Sequence, residues 1–237
     1  MKIASTLSIL IALANVSLAQ ETKSVNYGNV SLAFGASQGS LAMDYFHNWK
    51  FGKKQKLEIG FGGRFTSYFG NSQYYKTAPA KLTTGSTGPG VLFQAIIKAN
   101  IDTVLIKSPQ VNAFNLAVNI GYRISSKVGI GFSIDAIGFS FGQNKNGTYI
   151  NGLQSIPVSG KPTSFNGLGI GDNDHGSLNS EFYARYFFKD LWAVKIGFQY
   201  LFTEYDTNTN VQQFPGPNDR FRNKSSMFSV GLTRQFK

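Results

Sequence analysis

Apolar side chains recur at every second position along much of this chain, with small or polar side chains between them. In 109–124, Phe114, Leu116, Val118, Ile120 and Tyr122 share one parity; Asn115, Ala117, Asn119, Gly121 and Arg123 share the other. Segment 56–70 sets Leu57, Ile59, Phe61, Phe65 and Phe69 against Glu58, Gly60, Gly62, Arg64 and Thr66. A period of two marks a strand whose two faces meet different surroundings. Eight such segments are expected, roughly 27–37, 40–50, 56–70, 109–124, 127–142, 176–189, 192–206 and 224–237. In 127–142 the parity changes between Ala136 and Ile137, which predicts a β-bulge.

The connections carry a second pattern. Residues 50–55, 125–127 and 189–191 are short, whereas 71–108, 143–175 and 206–223 are long, and the two kinds alternate apart from a tight first loop near Gln38. All 7 Pro fall in or at the edge of the long connections, as expected of a residue that cannot donate to a strand ladder. Short turns at one end and long loops at the other are the layout of bacterial outer-membrane barrels. The expected fold is therefore all-β: an eight-stranded antiparallel up-and-down transmembrane β-barrel. Ten strands are the alternative if 91–107 adds a short pair, although a β-extension or cap in the long loop is preferred there. The last segment is expected to close the ring against the first, with Phe228, Val230, Leu232 and Phe236 toward lipid and Arg234 snorkelling at the interface. Trp49, Phe51, Tyr186, Phe188 and Trp192 mark one expected aromatic girdle; Tyr68, Phe69, Phe141, Phe202 and Tyr205 mark the other.

Composition agrees. Only 15% of residues are charged, against about 25% in ordinary soluble domains, while 26 Gly and 14% aromatics suit a barrel. There is no Cys, so neither disulfide nor thiolate chemistry is available. Residues 1–19 have a lysine, an apolar run and small residues before Gln20, which predicts a signal peptide, with 20–237 as the barrel domain. The net charge of +11 gathers at the short turns (Lys50, Lys53, Lys54, Lys56, Lys127, Lys189), which points to lipid headgroups rather than to nucleic acid.

With these features the whole segment after residue 19 resembles the small outer-membrane β-barrel family, of the OmpA-barrel, OmpX and OmpW type and of Bacteroidota character. The resemblance implies outer-membrane lipids and lipopolysaccharide as surroundings, and insertion by the barrel-assembly machinery. That machinery reads a C-terminal aromatic; here Phe236 is followed by Lys237.

Parity sends eight charges into the lumen: Asp44, Glu58, Asp135 and Glu181 with Arg64, Arg123, Arg185 and Lys195. An eight-stranded interior is filled by its own side chains, so these charges are expected to pair and plug it. A narrow porin-like channel is the alternative function. A lipid A-modifying hydrolase built on His175, Ser177 and Glu181 is the second, and no catalytic residue is assigned. No cofactor or metal is expected; Asp172, Asn173 and Asp174 offer oxygen ligands without Ca²⁺-loop spacing. Lys81 to Gly90 reads as a loop tip, and Asp102-Thr103-Val104 as a chance match to an O-glycosylation triplet. The long loops are expected to bind ligands, with Arg220 and Arg222 as anion contacts.

Overall fold

The computed structural model describes residues 23–152, 154–170 and 173–236. The signal peptide expected at 1–19 lies outside the described residues, as do Asp172 and Lys237. Among the described residues thirteen strands form one antiparallel sheet, so the expected count of eight or ten is corrected. They are β1 (Ser24–Gly35), β2 (Gln38–Phe51), β3 (Leu57–Gly70), β4 (Gln73–Thr77), β5 (Thr103–Ile106), β6 (Gln110–Arg123), β7 (Val128–Phe141), β8 (Lys145–Asn151), β9 (Gln154–Pro162), β10 (Phe165–Gly167), β11 (Asn179–Lys189), β12 (Trp192–Thr207) and β13 (Arg220–Phe236).

The excess has a simple origin. Eight long strands pair in the order β1-β2-β3-β6-β7-β11-β12-β13, and β13 returns to β1 with Val30 opposite Leu232. The other five come from the two longest connections, which fold instead of remaining loops. There β12, β9, β8, β5, β4 and β13 pair in sequence and close a second, smaller ring above the first. The two rings share the β12–β13 hairpin, whose strands run to 16 and 17 residues for this reason. Segment 91–107 supplies two 3₁₀ turns and β5, a part of this cap. The loop tip expected at Lys81 to Gly90 begins with a short helix, α1 (Ala80–Thr84).

Two expectations about residue types change with the cap. Pro157 and Pro162 lie within β9, not outside the strands. At Pro157 the strand is paired only with β8, where the residue faces Thr148, so no second ladder needs its missing N–H. The bulge sits where parity places it, with Leu116 opposite Ile137 and Ala117 opposite Asp135, leaving Ala136 as the extra residue.

Two different interiors result. Inside the large ring the buried positions are mostly polar, among them Asn29, Asn115, Asn119, Ser133, Gln199 and Thr233. Where the rings meet, the interior becomes apolar: Tyr68, Tyr75, Val104, Ile106, Tyr149, Leu201, Tyr205, Phe221 and Met227 form one cluster. Tyr68 and Tyr205, expected in the upper girdle, are buried in this core because their parity points inward.

Candidate functional site

The lumen brings together side chains from all eight long strands. Arg64 on β3 is 1% exposed and reaches past β6 to Asp135 on β7 at 3.1 Å, with Asp44 on β2 at 3.9 Å. Its guanidinium also donates to the Asn179 carbonyl at 3.0 Å and to Ser133 Oγ. Asp135 accepts further bonds from Asn115 Nδ2 at 2.7 Å and the Asn179 amide at 2.9 Å, while Asn29 donates to Asp44. Lys195 donates to Glu181 at 2.7 Å, and Ser229 occupies the other Glu181 oxygen at 2.7 Å. Near the short turns, Glu58 accepts from the Tyr27 hydroxyl at 3.0 Å, and Arg123 donates to that same hydroxyl at 2.9 Å. The Arg123–Glu58 ion pair is looser, at 4.0 Å. Arg185 differs: its guanidinium lies between the rings of Tyr27 and Tyr183, 4.3 Å from each, and its Nε has no protein partner. The space left among Tyr27, Glu58, Arg123 and Arg185 is about 10 Å³, the room of one water at most.

Opposite-sign pairing follows from strand register. Asp44 lies directly opposite Arg64 on the neighbouring strand, and Arg185 directly opposite Lys195. The second match sets like charges side by side, so the two must part; Lys195 turns to Glu181 and Arg185 to the tyrosine rings.

In the cap, Arg220 and Arg222 do not reach out to solvent. Both turn onto Glu204, which is 0% exposed: Arg220 Nε donates at 2.9 Å, Arg222 Nε at 3.0 Å and Arg222 Nη2 at 2.8 Å. Arg222 also donates to the Asp174 carbonyl. Glu204 stands opposite Arg222 in the β12–β13 ladder, which makes the pair an adjacent-strand contact. Deeper in the cap, Tyr75 is fully buried and its hydroxyl lies 3.1 Å from Thr203 Oγ1. Burial holds that phenol well above the usual tyrosine range, and the neighbouring Tyr68 and Tyr205 add to the shift. The Tyr149 hydroxyl donates to Asp102 at 2.5 Å, and burial first, then this carboxylate, pushes it up as well.

The outer face decides where the molecule resides. Alternate positions of every long strand expose large apolar side chains, including Phe198 at 67%, Phe61 at 57% and Phe182 at 56%. A water-soluble monomer leaves no such continuous belt uncovered, and a closed ring leaves no unpaired backbone in hydrocarbon. Trp49 packs on His47 and Phe61 at the short-turn end, and Arg234 lies over both Trp192 and Phe236 there. This is a multi-pass β-barrel of the bacterial outer membrane.

No protein-family model and no curated protein sequence matches the chain. Solved outer-membrane proteins are similar in overall form. Neisserial surface protein A is 8% identical at a TM-score of 0.39, over 92% of this chain and 100% of that one. Ail, the attachment invasion locus protein of Yersinia pestis, is 8% identical at a TM-score of 0.39, over 90% and 100%. The Pseudomonas putida toluene transporter TodX is 8% identical at a TM-score of 0.24, over 94% and 91%. None of these likenesses carries an argument about activity.

The remaining candidates are placed as follows. His175 Nδ1 is 3.1 Å from the Phe165 carbonyl, while Ser177 is buried with its Oγ accepting the Glu204 amide at 3.3 Å. Among the described residues no group of three or more His, Asp and Glu is arranged to hold a metal ion. Asn173 Nδ2 donates to the Gly88 carbonyl and ties two loops together, while Asp174 Oδ1 accepts the Gly169 amide within its own loop. Asp102 is inside the cap rather than on its surface. Sequence reasoning passed over Glu204, an acid on the apolar parity of β12; its signal was the basic Arg-Phe-Arg run of β13 that it must face. It also passed over Tyr27 and Tyr183, whose inward parity was the available sign.

Proposed function

We propose that the protein is a structural and surface-interaction barrel of the outer membrane, with a lumen closed to solutes and a folded cap presented outward. The observation that carries the proposal is the buried Arg64–Asp135–Asp44 cluster, which joins β2, β3 and β7 inside the ring and is tied by Arg64 to the Asn179 carbonyl of β11. Ion pairs buried this way resist hydration, because separating them leaves uncompensated charge. The apolar core of Tyr68, Tyr75, Tyr205 and Met227 above it is a second barrier to ions. On this reading the chain performs no catalysis. Its partners are the surrounding lipids and lipopolysaccharide, and the barrel-assembly machinery during insertion after removal of residues 1–19. A kinship with the OmpA-barrel, OmpX and OmpW type in a Bacteroidota bacterium belongs to the same proposal and rests on strand and turn pattern alone.

Planar-bilayer recording tests it. Purified full-length protein is expected to give no stable unitary current. Reproducible conductance steps that persist in Arg64→Lys would replace the proposal with the narrow porin-like channel.

A further inference from the structure

A groove of about 550 Å³ opens on the flank of the cap, between β4, β13 and the segment 83–101. Four cations line it, Lys76, Lys98, Arg222 and Lys224, and no Asp or Glu does among the described residues. Arg222 is 4% exposed, and although its Nε and Nη2 hold Glu204, its Nη1 is buried with no protein partner. A buried guanidinium N–H without an acceptor is costly, and an anion seated in the groove would supply one. Beside Thr77, Thr83 and Asn223 the wall is apolar, with Ile96 and Tyr74 both more than half exposed. Next to Ile96 in the same segment, Leu92 and Phe93 are 62% and 88% exposed.

Height in the membrane narrows the choice of anion. Arg222 and Lys224 both lie over the ring of Phe202, at 5.2 and 5.4 Å. Phe202 continues the lipid-facing parity of Ile196, Phe198 and Tyr200 on β12. The groove therefore begins where the apolar belt ends, at headgroup level, on the side of the barrel rather than over its mouth. A soluble anion needs only the cations. A lipid needs cations at this height with apolar surface beside them, and that is the combination present.

We propose that this groove binds the phosphorylated headgroup of an outer-leaflet glycolipid, with Arg222 and the three lysines on phosphate and the Ile96 segment against the sugar and upper acyl chain. The site rests on the surface-interaction reading above and names its ligand class. Arg222 Nη1 is the donor left for a phosphate oxygen while Nε and Nη2 hold Glu204, and the lysines add charge without demanding geometry.

The full-length protein in nanodiscs would be offered bis-phosphorylated lipid A, its dephosphorylated form, or inorganic phosphate, and retained molecules counted by native mass spectrometry. Wild-type protein is expected to retain phosphorylated lipid A, and to lose at least about tenfold in occupancy when the phosphates are absent. The double variant Lys76→Glu/Lys98→Glu should lose a similar factor while keeping heat-modifiable migration. If that pair fails to fold, Lys98→Glu alone, on an exposed 3₁₀ turn, serves the same purpose. Equal retention of both lipid forms, undiminished retention by the folded variant, or retention of inorganic phosphate in preference to lipid A would each overturn the site. Bilayer current from the same preparations separates the two ideas: a silent barrel without lipid discrimination rejects the groove and leaves the closed lumen standing. Lipid discrimination by a conducting barrel upholds the groove and rejects the closed lumen.

Discussion

Arg64 sits where the lumen has least tolerance. Removing its side chain leaves Asp44 and Asp135 facing each other in a space without bulk water. Arg64→Ala is expected to destabilise the folded barrel by about 3–5 kcal/mol, read as a lower midpoint in urea unfolding followed by tryptophan fluorescence. Neutralising both acids as well (Asp44→Asn, Asp135→Asn) should recover much of the loss, since no uncompensated carboxylate then remains. A single-variant loss below about 1 kcal/mol would show the cluster to be solvated. A second residue-scale constraint is steric. A Cβ on Gly62 would lie 1.8 Å from the Tyr45 carbonyl oxygen, a backbone atom that cannot swing aside. Gly62→Ala should therefore cost roughly 1–3 kcal/mol in the same assay, whereas Gly63→Ala, whose nearest neighbour would be the Phe114 ring at 3.4 Å, should cost far less.

At the scale of elements, the cap behaves as an addition to the barrel, because β8 and β9 pair with one another, with β5 and with the top of β12 only. Replacing residues 145–162 with a short Gly-Ser link should leave the eight-strand ring heat-modifiable while opening the smaller ring. Tyr75 reports the difference. Burial raises its phenol, so its neutral form contributes stability that is complete below about pH 10 and lost as pH rises through the elevated folded value. Ultraviolet titration of intact protein should show a tyrosine class that ionises only when the cap opens at alkaline pH. In the shortened variant that class should move toward the ordinary range; an unmoved class would mean that β8 and β9 do not shield it.

For the whole molecule, the lipid-facing belt makes an optical prediction. Trp49 and Trp192, the only 2 Trp of the chain, stand at the short-turn end of the lipid-facing surface. Lipids brominated near the headgroup should quench their fluorescence more than lipids brominated at the chain terminus. The reverse order would shift the membrane boundary along the strands.

Period-two patterning, short turns and the placement of charge were enough to define the transmembrane strands, their inward faces and the Ala136 bulge. Those features arise because lipid and lumen impose opposite demands on alternate side chains, a local rule that each segment records separately. The inward parity of Asp44, Arg64, Asp135, Glu181 and Lys195 follows the same rule, but their partners do not. Tyr183 is two residues from Arg185 on β11, but whether Arg185 also meets the Tyr27 ring of β1 depends on closure and stagger of the ring. The long connections were the least legible part. The pairs β4–β5 and β5–β8 join residues far apart in sequence, so their pairing depends on the ring beneath to bring them together. Arg220 and Arg222 looked like exposed loop cations because Glu204, though opposite in the ladder, is 18 residues from Arg222 in the chain. Only the tertiary structure joined that loop chemistry to Glu204 and left the cationic groove on the flank.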